Sequence, residues 1–406
     1  MATNRGTTSC ATPPSITVAR RRTPTHRTIR GCSSEGRGAV VSGGRAVVIS
    51  GGPGAEHDVS LSSGRAIAAA LDELGFAVAT CTVARDGTWS TDGRAGLGVA
   101  VATLAAADVA VPALHGPWGE DGSVQGFLET VGVPYVGSGV LASATCMDKA
   151  RTKLQLAAAG ICVAPGRTVR APLDADTAAA LVAQLGLPLF VKPLQGGSSY
   201  GVTRVTDVGD LPQAVTAAAA YGAAVLVEPE IRGLEIDVGV LERPDGTTVA
   251  GPLLQIEADP GEPFFSTAAK YACTGTRFLV PAPVDPGLAG AICDTALRAF
   301  AALGCAGLAR VDFFVDERRG LIVNEVNTFP GFTEHSQFPL MWAAASVSFT
   351  ALVATLVETA LSAPMRSGSV RPRRASPGPA PSPARRSRSA CHRACCPEHR
   401  GMRPMS

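Results

Sequence analysis

Between about residues 45 and 361, short runs rich in Val, Ile and Leu alternate with Ala-rich stretches of helical character. The run at residues 46–50 is followed by a predicted helix at about residues 61–74 and then by a second run at residues 109–114. Strands that alternate with helices along a chain are typical of α/β domains. The first block is therefore predicted to form such a domain.

Two further blocks follow in the sequence. The second begins near residue 147 and contains strand-like runs at residues 189–192 and 224–228. A chain of 406 residues with 46% hydrophobic residues can bury two or three packed cores. We predict an N-terminal α/β domain at residues 45–146, a central domain at residues 147–235 and a C-terminal domain at residues 236–362.

Both ends of the chain are rich in arginine and almost free of acidic residues. Residues 1–44 lack a lasting apolar period, and residues 363–406 are rich in Pro, Ser and Arg, so both are predicted to be disordered. The N-terminal stretch is interpreted as a mistaken upstream start or a disordered arm, in preference to an organelle transit peptide. The C-terminal stretch is interpreted as a solvated tail, in preference to a nucleic-acid-binding one.

The sequence contains no run that approaches the roughly 18 apolar residues needed to cross a bilayer. Its first thirty residues also lack the continuous apolar core of a secretory signal. We therefore expect a cytoplasmic protein that has neither a membrane nor a nucleic acid as its partner.

Two glycine-rich turns follow predicted strands. The turn at residues 51–56 can present backbone amides and Glu56 at the carboxyl edge of a sheet. The stretch at residues 196–201 comes just after Lys192, and its glycines and hydroxyls allow it to close over phosphates as a flap on ATP. Taken singly, each turn is also compatible with an ordinary structural turn.

Two strand-like runs at residues 308–315 and 321–327 are separated by a short turn and are predicted to form a hairpin. Because strand side chains alternate between faces, Arg310 lies on the same face as Asp312, and Glu325 on the same face as Asn327. The three oxygen-bearing side chains are hard ligands of the kind that hold Mg²⁺, and the guanidinium can stabilise charge in phosphoryl transfer. A salt-bridged surface hairpin is the alternative, but it does not explain the Gly/Pro-containing turn at residues 328–333 that follows.

With these motifs in order, residues 46–361 resemble the D-alanine:D-alanine ligase family of the ATP-grasp superfamily. The resemblance implies α/β and α+β structure: an N-terminal parallel-sheet (pre-ATP-grasp) domain followed by two ATP-grasp subdomains. The segments that carry it are GGPGAEHDVSLSSG from Gly51, LHGPWGEDGSVQG from Leu114, PYVGSGVLASATCMDK from Pro134, FVKPLQGGSSYG from Phe190, GLARVDFFV from Gly307 and NEVNTFPGFTEHSQFP from Asn324.

The resemblance also implies which residues bind the nucleotide and the metal. Two ions of Mg²⁺ or Mn²⁺ are expected, with Asp312, Glu325 and Asn327 as their ligands. ATP binding is implied for Lys149 and Lys192 at the phosphates, Ser199 in the loop that closes over them, Lys270 at the γ-phosphate, Glu228 and Ile231 at the adenine, and Glu235 at the ribose.

For the substrates, the resemblance implies two molecules of D-alanine joined at the expense of ATP through an acyl phosphate, as a step of peptidoglycan precursor synthesis. A homodimer is expected from the same resemblance. The implied roles are hydrogen bonding near the substrates for Glu56, Ser198 and Tyr271, a place in the same pocket for His115, stabilisation of the tetrahedral intermediate for Arg310 and the Gly331 amide, and binding of the second carboxylate for Ser336 and Gln337.

The sequence departs from the family pattern in two places. Before Tyr271, residues 266–268 are Ser-Thr-Ala where many relatives have Asp-Tyr-Glu, and Pro229 follows Glu228 in the adenine segment. The first departure leaves D-alanine:D-lactate and D-alanine:D-serine ligases as alternatives, although Tyr271 favours the dipeptide-forming type. A non-catalytic nucleotide-binding relative is the other alternative, and the presence of all three expected metal ligands weighs against it.

Overall fold

The computed structural model describes residues 43–257 and 277–364. The predicted tails, apart from two residues at the inner end of each, lie outside these ranges. The predicted site residues Lys270 and Tyr271 also lie outside the described residues.

The N-terminal part forms a five-stranded sheet in which the first strand is buried on both faces. The first strand packs in parallel between the second and the fifth, and two short antiparallel strands extend one edge. The strands are β1 (Arg45–Gly51), β2 (Ala77–Val83), β3 (Trp89–Thr91), β4 (Arg94–Ala95) and β5 (Val109–Pro112), and the helices are α1 (His57–Glu73), α2 (Leu97–Ala106) and α3 (Ser123–Val131).

Alternate side chains of β1 enter different cores. Val48 packs with Ile67 and Leu71 of α1, whereas Val47 belongs to the core that contains Leu104 of α2. Helices therefore cover both faces of the sheet, which explains why the strand is a continuous apolar run. The first predicted helix is confirmed, and it begins at residue 57 instead of about residue 61.

The central part contains a four-stranded antiparallel sheet in the order β6-β9-β7-β8. Its core is formed by alternate residues of the strands and by the apolar faces of two Ala-rich helices. The strands are β6 (Arg167–Val169), β7 (Leu189–Pro193), β8 (Thr203–Val205) and β9 (Val225–Pro229). Helices α4 (Val140–Met147) and α5 (Lys149–Ala158) precede this sheet, and their buried residues Cys146 and Leu156 belong to the core of the C-terminal sheet. The two helices of the central core are α6 (Ala175–Leu185) and α7 (Leu211–Ala219).

The C-terminal part is built on a five-stranded antiparallel sheet in the order β12-β11-β10-β13-β14. The predicted hairpin is confirmed as β13 and β14, with Asp312 directly opposite Glu325 and Arg310 opposite Asn327. The strands are β10 (Leu234–Glu242), β11 (Thr248–Glu257), β12 (Arg277–Leu279), β13 (Leu308–Asp316) and β14 (Gly320–Asn327), and the helices are α8 (Pro286–Ala302), α9 (Gln337–Ala344) and α10 (Phe349–Ser362).

Helix α10 packs against the N-terminal sheet although it follows the C-terminal sheet in sequence. Its side chains Val353 and Leu356 belong to the same buried cluster as Leu71 of α1 and Val111 of β5. The combination of a largely parallel sheet with two antiparallel ones confirms the predicted α/β and α+β class.

In the described ranges, no single helix is long and apolar enough to cross a membrane. Helices α9 and α10 together meet the length and composition test, but the pair is bent by 104°.

Close packing of α1 on β1 depends on a glycine. A Cβ atom added at Gly64 would lie 2.6 Å from the Cβ of Ser50, so Gly64→Ala must push the helix away from the strand. We expect this overpacking to lower the free energy of unfolding by about 1–3 kcal/mol.

The control is Gly290→Ala in α8, where an added Cβ meets no atom within 4 Å. There, alanine is expected to raise the free energy of unfolding by about 0.5–1 kcal/mol, because it lowers the backbone entropy of the unfolded chain. Urea denaturation of both variants measures the difference. Equal effects of the two substitutions would contradict the packing argument.

Candidate active site

A cleft of about 400 Å³ lies between the central and C-terminal sheets. Its wall combines residues of β7 and β9 with residues of β10, β13 and β14, and the loop at residues 195–200 borders it. The predicted site residues that line this cleft are Lys149, Lys192, Ser198, Ser199, Glu228, Ile231, Glu235, Arg310, Asp312, Glu325 and Gln337.

The remaining described site residues are Asn327, at the end of β14, and residues in neighbouring loops. Asn327 lines a small cavity of about 20 Å³ that it shares with Lys149 and Glu325 of the main cleft. Glu56 contacts Ser198, and Ser336 is next to Gly331. The structure therefore brings these predicted residues together. His115 does not line the cleft and is buried in the protein interior.

Two lysines share one buried carboxylate on the wall formed by β7 and β9. Lys192 Nζ lies 2.5 Å from Glu228 Oε2, and Lys153 Nζ lies 2.5 Å from Glu228 Oε1. Burial alone would raise the pKa of Glu228, but the attraction of Lys192 and Lys153 lowers it below its ordinary value. Burial opposes the charge of Lys192 as well, yet Glu228 raises its pKa. The pair of lysines therefore keeps an excess of positive charge beside the cleft.

Lys153 was not predicted as a site residue from the sequence. It comes four residues after Lys149 on α5, and this spacing places both side chains on the same face of the helix. Burial lowers the pKa of Lys153, although the attraction of Glu228 opposes the shift. The four-residue spacing could have indicated that Lys153 lies beside Lys149. It could not predict the contact with Glu228, because Glu228 is distant in sequence.

The glycine-rich loop at residues 195–200 closes on the N-terminal part. Ser198 Oγ donates a hydrogen bond to Glu56 Oε1, and Lys149 Nζ donates one to the carbonyl of Gly196 at 2.6 Å. Ser198 and Ser199 have φ values of 49° and 59°, in the left-handed region that non-glycine residues seldom adopt. Such backbone conformations persist only where surrounding contacts stabilise them, and they are common at ligand-binding loops.

Arg310 makes a bidentate contact with Asp312 on the face of β13 that lines the cleft. Its Nε and Nη2 donate to Oδ1 and Oδ2 at 2.7 Å each, and Nε lies 3.4 Å from Asp237 Oδ2. Burial disfavours the guanidinium charge, but Asp312 and then Asp237 raise the pKa of Arg310 above its ordinary value. Gln337 donates to Asp237 at 2.8 Å, so this unpredicted carboxylate connects β10 to the start of α9.

The donor set of the hairpin fits a divalent cation. Asp312 and Glu325 face each other across neighbouring strands, and Asn327 Nδ2 lies 3.1 Å from Asp312 Oδ2. Carboxylate and amide oxygens are the ligands that Mg²⁺ prefers. Among the described residues, no group of three or more His, Cys, Asp or Glu side chains is placed to hold a metal, so Asn327 is needed to complete the set.

His115 is 5% exposed, and both of its ring nitrogens have partners. Nδ1 lies 3.0 Å from the carbonyl of Phe329, and Nε2 lies 2.9 Å from Ser63 Oγ. Burial lowers the pKa of His115, with Glu56 opposing the shift.

The neighbouring Glu120 is another residue that was not predicted from the sequence. Burial and then repulsion by Glu56 raise the pKa of Glu120 to about 8.

The buried cluster of Glu228 with two lysines gives a test of stability. Glu228→Ala would leave both lysines buried without a counter-charge, so we expect the free energy of unfolding to fall by about 3–5 kcal/mol. The control is Glu257→Ala, since Glu257 pairs with Arg277 at the surface with side-chain exposures of 40% and 76%. In chemical denaturation, Glu257→Ala should lower the free energy of unfolding by less than about 1 kcal/mol, because this pair is exposed. A similar small loss in both variants would be inconsistent with a buried charge cluster.

Comparison with known proteins is consistent with this arrangement. Residues 98–138 match the family model described as D-ala D-ala ligase N-terminus, and residues 156–358 match the model described as D-ala D-ala ligase C-terminus. The D-alanine–D-alanine ligase of Corynebacterium aurimucosum is 42% identical over 80% of this chain and 97% of its own length. That of Mycolicibacterium gilvum is 42% identical over 80% of this chain and 96% of its own.

Solved structures give the same result for the fold. The VanG D-Ala:D-Ser ligase from Enterococcus faecalis matches with a TM-score of 0.69 and 31% identity, covering 79% of this chain and 100% of that one. The D-alanine–D-alanine ligase of Coxiella burnetii matches with a TM-score of 0.67 and 28% identity, covering 80% and 94%. The resemblance predicted from the motifs is thus confirmed, and the chain belongs to the D-alanine–D-alanine ligase family of the ATP-grasp fold.

Proposed function

We propose that this chain is an ATP-dependent ligase that joins two molecules of D-alanine into D-alanyl-D-alanine for peptidoglycan precursor synthesis. The observation that carries the proposal is the cleft in which the cationic wall of Lys192 faces the acidic hairpin of Asp312 and Glu325. The identity of 42% over 80% of the chain with relatives of that name supports the same activity.

ATP would occupy the cleft between the two sheets. Glu228 and Ile231 are at the end of β9 and just after it, where the adenine would bind, and Glu235 on β10, which also lines the cleft, would bind the ribose. Lys149, Lys192 and the loop with Ser199 would contact the phosphates. Lys270, outside the described residues, is proposed to reach the γ-phosphate.

Asp312, Glu325 and Asn327 would hold Mg²⁺ or Mn²⁺, with two ions per site. Bound there, the ions would neutralise phosphate charge during phosphoryl transfer. The residues of the chain supply the remaining contacts. Arg310 is already fixed by both oxygens of Asp312, so its guanidinium needs little reorganisation to face developing negative charge.

In the proposed reaction, the carboxylate of the first D-alanine attacks the γ-phosphate of ATP, which forms an acyl phosphate and releases ADP. The neutral amino group of the second D-alanine then attacks the acyl carbon, and phosphate and a proton are released. Glu56 would bind the first amino group, and Arg310 with the Gly331 amide would stabilise the tetrahedral oxyanion. Ser336 and Gln337 would hold the second carboxylate. Closure of the Ser198 loop excludes water that would hydrolyse the acyl phosphate.

Three further properties belong to this proposal. Tyr271, outside the described residues, would select D-alanine as the acceptor, although one structural relative is a D-Ala:D-Ser ligase. The enzyme would work as a homodimer in the cytoplasm. The boundaries at residues 146 and 235 would separate the substrate-binding domain from the two ATP-grasp subdomains, each of which contributes its own sheet.

The metal assignment predicts the effect of Glu325→Gln. The substitution keeps the size of the side chain but removes the charge opposite Asp312, so we expect kcat to fall roughly 10²-fold or more while the fold is retained. Glu129→Gln is the matched control, because Glu129 bonds the hydroxyl of Tyr135 in the N-terminal part. Phosphate release from ATP with D-alanine measures both. Near-normal turnover of Glu325→Gln would refute the assignment.

Acceptor choice is tested with the unmodified protein. It is offered D-alanine alone and then D-alanine with D-serine or D-lactate, and the products are identified by mass. We expect D-alanyl-D-alanine from D-alanine alone. Turnover that requires D-lactate or D-serine would assign the corresponding alternative ligase, and nucleotide binding without turnover of any pair would indicate a non-catalytic relative.

A further inference from the structure

Three side chains of the N-terminal part bind the backbone of the loop at residues 329–332, which carries Gly331. Glu120 accepts a hydrogen bond from the Phe329 amide at 3.0 Å, and His115 contacts the Phe329 carbonyl at 3.0 Å. Ser63 accepts a hydrogen bond from the Phe332 amide at 3.1 Å. The loop is therefore held at its two ends, on either side of Gly331.

The direction of each hydrogen bond in this set follows from its partners. A carbonyl oxygen can only accept, so Nδ1 of His115 donates to Phe329. Burial lowers the pKa of His115 and favours the neutral ring, in which Nε2 then accepts from the hydroxyl of Ser63 at 2.9 Å. The Ser63 oxygen in turn accepts from the Phe332 amide. A chain of three hydrogen bonds, through Ser63 of α1 and His115, thus connects α1 to both ends of the loop.

Glu120 adds a separate connection. Its Oε1 accepts from the Phe329 amide, while its Oε2 accepts from the Gly116 amide at 2.9 Å. A single carboxylate therefore joins two loops that are more than 200 residues apart in sequence. The side chains of Phe329 and Phe332 are 4% and 1% exposed and belong to the same buried core as Ile67 and Val111, so packing also holds the loop.

We propose that Ser63, His115 and Glu120 are positioning residues that fix the 329–332 loop and thereby place the Gly331 amide at the reacting centre. This inference rests on the role of Gly331 in the proposed function. In this proposal His115 positions the 329–332 loop, whereas substrate binding was predicted for it from the sequence. An oxyanion donor must be held close to its productive position, and a displacement of about 1 Å can cost roughly 10²-fold in rate.

Two variants test the proposal. Ser63→Ala removes the side-chain oxygen that accepts the hydrogen bond of the Phe332 amide. Glu120→Gln replaces one carboxylate oxygen by an NH₂ group, so either the Phe329 amide or the Gly116 amide loses its acceptor. Their controls are Ser62→Ala, next to Ser63 but bonded to Asp58 and Arg65, and Glu129→Gln. Kinetics are measured above the pKa of Glu120, and hydrogen–deuterium exchange is followed at the amides of Phe329 and Phe332.

We expect kcat to fall by about 10- to 100-fold in Ser63→Ala and Glu120→Gln. The KM for ATP should change by less than about twofold, because the loop contacts the reacting centre and not the nucleotide. Exchange should become roughly tenfold faster at Phe332 in Ser63→Ala and at Phe329 in Glu120→Gln. Both controls should match the unmodified protein, which would support the positioning role.

Faster exchange with an unchanged kcat would overturn the proposal, since the loop would then be anchored without consequence for the reaction. Unchanged exchange in both variants would overturn it too, because the hydrogen bonds would not hold the loop. If the unmodified protein fails to turn over D-alanine, the proposed function fails. Faster exchange in the variants would in that case still support the anchoring of the loop by Ser63 and Glu120.

Discussion

The cleft depends on the register of three neighbouring antiparallel strands. Asp237 on β10 is paired with Asp312 on β13, which is paired with Glu325 on β14, so three carboxylates form one row across the sheet. Like charges at this spacing repel one another unless cations lie between them. Arg310 contacts both Asp237 and Asp312, and it is therefore needed for the row to form in the absence of bound ions. A slip by one residue would turn these side chains into the core.

The opposite wall has the reverse distribution of charge. Glu228 is a single anion held between Lys153 and Lys192, and Lys149 lies nearby with its ammonium on the carbonyl of Gly196. Two buried cations with one shared counter-ion are tolerated because each oxygen of the carboxylate has an ammonium group 2.5 Å away. The excess positive charge is a suitable environment for a triphosphate, whereas the acidic row suits its metal ions.

Local sequence patterns were sufficient for the glycine-rich turns, the hairpin with Asp312 and Glu325, and the strands β1, β5, β7 and β9. These features depend on alternation and on turn residues, both of which are visible within a short window. The patterns could not reveal the contact of Lys153 with Glu228, or the contacts of Glu120 and Ser63 with the 329–332 loop, because each joins segments distant in sequence. The substrate-binding role of His115 stays a prediction, and its bonded, buried ring favours positioning instead.

The packing of α10 on α1 and β5 has a consequence for synthesis on the ribosome. Leu352, Val353, Leu356 and Val357 complete a core whose members in β1 and α1, such as Val48 and Ile67, lie about 300 residues earlier in the sequence. Until α10 leaves the exit tunnel, that face of the first sheet exposes apolar surface to solvent. Such contacts over long sequence separations slow folding and leave an intermediate prone to aggregation. The N-terminal fold is therefore completed only after the C-terminal sheet has been synthesised, even though its own strands are made first.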